Sequence, residues 1–118
     1  MSLTRSEVFD DLVRTAVARL QQRWATQLES IEVAVEDVPD PDHLHDPTSS
    51  ASAAPAALGR SVAATGELPA RIVVYRRPVE ARARGLRARE TLVHEVVVER
   101  LAELLGLDPT AVDPDSDG

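Results

Sequence analysis

Residues 86–105, LRARETLVHEVVVERLAELL, constrain the fold more than any other part of the chain. Val93, Val97, Leu101 and Leu104 recur at intervals of four, four and three, the spacing that stacks side chains along one face of an α-helix. No Gly or Pro interrupts the run. Gly106 follows it directly, where a left-handed helix end suits glycine, and Leu107 is placed for the hydrophobic contact that accompanies such a cap. Asp108-Pro109 then offers an N-cap and a first helical residue for one further turn. A long helix with an apolar stripe must be buried against something, so the rest of the chain has to supply the opposing surface.

That surface is legible in two periodicities. Thr4 and Glu7 have capping-box spacing, with Thr4 covering a free amide and Glu7 reaching back. Behind them Val8, Leu12, Ala16 and Leu20, flanked by Phe9, Val13, Val17 and Trp24, predict an amphipathic helix to about Leu28. The period then changes to two: Ile31, Val33 and Val35 alternate with Glu32, Ala34 and Glu36, as in a half-buried strand. Leu58–Val62 reads as a short edge strand, a turn is expected around Gly66, and Arg71–Tyr75 is the most strand-like run. Pro78 fits the first turn of a short helix that Gly85 interrupts. Between the first two strands, residues 37–57 carry Pro, Ser and acids with no face able to bury apolar area, and a mobile acidic loop is expected there. The expectation is an α+β fold, one domain over residues 1–113 with two main helices backing a small sheet, and a disordered tail at 114–118.

Composition narrows the function classes. There is no cysteine, hence no disulfide framework, thiolate metal site or cysteine nucleophile. Phe9, Trp24 and Tyr75 are the only aromatics, so the core must be aliphatic. No apolar run reaches the roughly 20 residues of a membrane span. The first residues, MSLTRSEVFDD, lack the apolar core of a secretory signal, and a cytoplasmic location is the default expectation. A formal net charge of −7 argues against nucleic acid as the main partner. Every basic residue is Arg, a mark of a GC-rich genome, and seven of them (Arg71, Arg76, Arg77, Arg82, Arg84, Arg87, Arg89) fall in one stretch. That stretch lacks a series of interleaved aromatics for base stacking, Tyr75 being the one it holds, and pairing with Glu80 and Glu90 is its expected use.

The order helix, strand, loop, strand, Pro-started helix, long helix resembles the minimal zincin-like metallopeptidases, or mini-zincins, of actinobacterial type. ARIVVYRRPVEARA followed by RETLVHEVVVERLAELLGLDP is similar to that family's strand, Arg-Pro turn and motif helix ending in Gly-Leu-Asp; the first helix and IEVAVED fit with weaker motifs. The resemblance implies a minimal zincin-like α+β domain with an N-terminal helix, a small mixed sheet and a long C-terminal motif helix. The family's helix carries HExxHxxGxxD, in which two histidines one turn apart and the Asp hold zinc and the Glu polarises water. Anchored on Gly106, the histidine positions fall on Glu99 and Glu103, the catalytic Glu position on Arg100 and the Asp position on Pro109. A register starting at His94-Glu95 puts the second ligand on Val98 and strands the glycine too late. The only methionine is Met1, so no Met-turn can underlie a metal.

On this resemblance a metallopeptidase scaffold lacking its ligands is expected to act as a pseudoenzyme, a binding or regulatory module for a protein or peptide partner, with a homodimer also open. No cofactor is expected, although the family's is zinc. One alternative is an active zinc peptidase with a carboxylate and histidine set, Glu99 and Glu103 with His94 or with a loop histidine. Another is a nucleic-acid-associated protein using the Arg71–Arg89 stretch. His43, His45 and Asp46 form a second, unsupported group of metal-ligating types. Glu95, Glu99 and Glu103 form an acidic stripe roughly opposite the apolar face of the helix, expected to be solvated or, if it borders a cleft, to meet a cation or basic peptide. Ser61 and Ser49–Ser52 lack the context of a nucleophilic serine.

Overall fold

The computed structural model describes residues 4–39 and 58–114. Its elements are α1 (Arg5–Glu29), β1 (Ile31–Glu36), β2 (Gly59–Val62), β3 (Ala70–Tyr75), α2 (Arg76–Arg82), α3 (Leu86–Leu105) and α4 (Pro109–Val112). Residues 40–57 and 115–118, which hold most of the expected loop and tail, lie outside the described residues.

Thr4 caps α1 as expected, its hydroxyl accepting from the Glu7 amide at 3.1 Å. Glu7 reaches back, but to the Thr4 hydroxyl, which donates to its carboxylate at 3.1 Å. Near its end α1 kinks at Trp24, whose φ of −121° and ψ of 31° are not helical. The kink accompanies a tertiary bond, because the Trp24 indole donates to the Val112 carbonyl of α4 at 2.9 Å.

The three strands form one mixed sheet in the order β1-β3-β2, with β1 parallel and β2 antiparallel to the central β3. Alternation assigns the two faces. Ile31, Val33, Val35, Ile72 and Val74 point to one side with Gly59 and Ser61, and the five apolar side chains join the core made with Phe9, Leu12, Ala16 and Leu20 of α1. On α3, Val93, Val97 and Leu101 are completely buried as expected, while Leu104 is only partly so. Val96, Val98 and Ala102 are buried too, so the covered arc is wider than one stripe. The reason is that α3 packs against α1, the sheet and α4 together.

At its end α3 closes in a full Schellman motif. Gly106 is left-handed (φ 69°, ψ 33°), its amide donates to the Glu103 carbonyl at 3.3 Å, and the Leu107 amide donates to Ala102 at 2.9 Å. Asp108 then caps α4 by accepting from the Thr110 amide at 2.9 Å and hydroxyl at 2.7 Å. Those two bonds, the hydroxyl's first, hold the Asp108 carboxyl below the usual Asp range. The fold class is α+β with a small mixed sheet, as the periodicities predict. No described helix is long and apolar enough to cross a membrane.

Candidate functional site

The C-terminal half of α3 lies against β2, and Gly59 permits the approach. A Cβ built there would lie 2.6 Å from Val96 Cγ1 and 2.8 Å from the Val73 carbonyl oxygen, so only glycine lets the helix come this close without displacement. Two residues further along the same face, Ser61 is thereby brought to α3. Its hydroxyl donates to Glu103 Oε2 at 2.8 Å. The other Glu103 oxygen is paired with Arg100 Nη2 at 2.6 Å, and Arg100 approaches Glu99 at 3.9 Å. The Arg100 side chain is 12% exposed, against 35% for Glu103 and 57% for Glu99. Two of the three residues of the expected acidic stripe are thus not freely solvated: Glu95 is half-buried, and Glu103 is tied to both Arg100 and β2.

These are the positions that the Gly106 register aligns with a zinc site, and the left-handed Gly106 ends the helix where that register requires. A zinc ion in a catalytic site takes three protein donors and keeps one open position. Glu99 and Glu103 offer two carboxylates, but Pro109, the first residue of α4, has no donor atom. The neighbouring carboxylate, Asp108, is used as the α4 cap. Arg100 stands where the family has its base, and a guanidinium stays protonated, so it can take no proton from water. Its charge also occupies the carboxylate that a cation would need. The side chains present do not fit zinc.

The remaining expected ligands are placed as follows. His94 Nε2 meets Asp113 Oδ2 at 2.5 Å beside α4, and its Nδ1 is buried with no hydrogen-bond partner. Val98, the second ligand position on the His94 register, is fully buried among apolar residues. His43, His45 and Asp46 lie outside the described residues. Among the described residues no group of three or more His, Asp or Glu side chains is placed to hold a metal ion.

The arginine stretch is engaged partly as expected. Arg76, 13% exposed, pairs with Asp37 at 3.0 Å and with Glu80 at 3.1 Å, and the Asp37 hydrogen bond is the main cause of its raised pKa. Arg71 lies 3.7 Å from Glu32. Arg89 donates to the Ala83 carbonyl at 2.9 Å, satisfying the end of α2. Glu90 pairs instead with Arg19 of α1 at 3.6 Å, because α1 packs alongside α3. The expectation for Glu90 needed knowledge of which helix lies next to it.

Four residues of this region carry no local signal of their role. Gly59 has no turn context, Ser61 no motif, and Asp113 is the last residue before the expected tail. Arg60 is 3% exposed on the sheet face away from Ser61, a depth that an isolated Arg in a short strand does not announce.

A family model described as zincin-like metallopeptidase matches residues 28–117, which take in all three strands, the aligned positions on α3 and Gly106. No curated protein matches the chain. Since the match spans most of the length and the α3 glycine closes the helix in the aligned register, the chain belongs to the zincin-like metallopeptidase family.

Proposed function

We propose that this chain is a catalytically inactive member of its family, using the zincin scaffold as a binding or regulatory module for a protein or peptide. The observation that carries the reading is the Arg100–Glu103–Ser61 cluster. A cation built into the helix and hydrogen-bonded to the carboxylate at a ligand position supplies from within the chain the positive charge that zinc would bring. Turning Glu99 and Glu103 into ligands would require Arg100 to leave Glu103 and Ser61 to lose its acceptor. Recruiting His94 through Nε2 would break its contact with Asp113, and its other ring nitrogen, Nδ1, is buried inside the protein. Even then a carboxylate-rich set favours harder cations over zinc.

Metal content of the purified full chain, by native mass spectrometry with elemental analysis, tests this. The expected result is zinc well below one per chain and no peptidase activity that a chelator removes. One tightly held zinc per chain, with a chelator-sensitive peptidase activity, would establish the active-enzyme alternative.

A further inference from the structure

The sheet has two edges of different character. β2 is backed closely by α3, whereas no described strand lies outside β1. Beside β1 the surface dips into a groove of about 360 Å3 lined by Val13, Arg14, Val17, Gln21 and Val33. Val17, Ile31, Val33 and Val35 are only partly buried, whereas Ile72 and Val74 on the neighbouring strand are completely so. The apolar face of the sheet is therefore incompletely covered at this edge. On the opposite face the same strand presents Glu32, its side chain 63% exposed, and Glu36, in register with Arg71 and Tyr75 of β3. The Arg71–Glu32 contact at 3.7 Å is an exposed pair of the kind that contributes little, and it leaves Glu32 open to a second cation.

A strand laid along β1 would meet valines on one face and carboxylates on the other. Side chains alternate between faces, so its sequence would have to alternate apolar and basic residues. A second copy of this chain does not meet that requirement. Its β1 carries carboxylates and no base, and antiparallel pairing of two copies about Ala34 would set Glu32 opposite Glu36 twice, a destabilising opposition of like charges. We propose that the β1 edge and its Val13–Val17–Val33 groove take, as a fourth strand, an extended partner segment in which apolar residues alternate with Lys or Arg. The proposal goes beyond the reading of α3 and does not depend on whether α3 binds metal.

The test uses the full 15N-labelled chain and two capped seven-residue peptides, one alternating Val with Lys and one alternating Val with Glu. The Val/Lys peptide is expected to shift the amides of Ile31–Glu36 together with Val13 and Val17. The Val/Glu peptide should bind about tenfold or more weakly, because two opposed charge pairs change sign. The Glu32→Lys, Glu36→Lys double variant should reverse that preference. N-methylation of alternate amides in the Val/Lys peptide should abolish binding, which requires no change to the protein and separates backbone pairing from charge attraction. Absence of β1 shifts at millimolar peptide, binding that ignores the sign of the peptide charge, or shifts confined to Glu95, Glu99 and Glu103 on α3 would each overturn the proposal.

Discussion

Replacing Gly59 with alanine puts a methyl group where α3 and β3 already are. The strand conformation itself tolerates any residue, since Gly59 is not among the positive-φ glycines, so the whole effect comes from packing. The added Cβ would stand 2.6 Å from Val96 Cγ1, roughly 1 Å inside a normal carbon contact of about 3.5–4.0 Å. It would also stand 2.8 Å from the carbonyl oxygen of Val73 in the central strand. Val96 is 4% exposed and cannot swing into solvent, and the carbonyl belongs to backbone that β1 and β2 hold from both sides. Overpacking of a filled core costs about 1–3 kcal/mol, and two hard contacts, one of them backbone, put Gly59→Ala near about 3 kcal/mol. For a domain of this size that lowers Tm by about 12 °C. Thermal unfolding followed by circular dichroism reads it directly. Val96→Ala is the internal control, costing about 2 kcal/mol alone by losing two buried methyl groups. In the Gly59→Ala background the same change removes the closer clash, so the double variant should be at least about 1 kcal/mol more stable than the sum of the single effects predicts. A Gly59→Ala loss below about 0.5 kcal/mol, or simple additivity with Val96→Ala, would refute this packing of β2 on α3.

Gly106→Ala isolates the opposite cause: no atom lies within 4 Å of a Cβ there, but φ is 69°, so a loss of about 1 kcal/mol is expected from conformation alone, and Gly106→Asn should recover part of it. Trp24→Phe removes the indole donor and leaves the Val112 carbonyl unpartnered, which should cost about 1 kcal/mol and raise amide exchange in α4 before anywhere in α3. The combined change Glu99→His, Arg100→Glu, Glu103→His and Pro109→Asp should bind zinc near one per chain in titration calorimetry, whereas Val98→His on the rival register should bind none and lose stability, since that side chain is fully buried; the reverse pattern would show the Gly106 alignment to be wrong.

Much of the fold was legible because its signals are local. The 3.6-residue period placed α1 and α3, and Gly106 with Asp108-Pro109 placed the end of α3 and the start of α4. Thr4 placed the start of α1, the period-two run placed β1, and the β-branched run Ile72-Val73-Val74 with Tyr75 placed β3, each to within a residue. Each depends on contacts within a turn of helix or a pair of neighbours, where backbone sterics and a capping hydrogen bond decide the outcome. The identity of every residue at the aligned motif positions was likewise readable from spacing to the glycine. What those residues do was not. Glu103 looked like part of a solvated acidic stripe until Ser61, 42 residues away, donated to it. Trp24 looked like a flanking apolar residue, yet its indole bonds a carbonyl 88 residues on, and His94 finds its carboxylate in Asp113, the residue just before the expected tail. Gly59 matters only because α3 presses on it. Such partners are chosen when helices dock on the sheet, through close packing that fixes distances to fractions of an ångström. A period of two or of 3.6 says which side of an element is buried, but only the assembled core says against what.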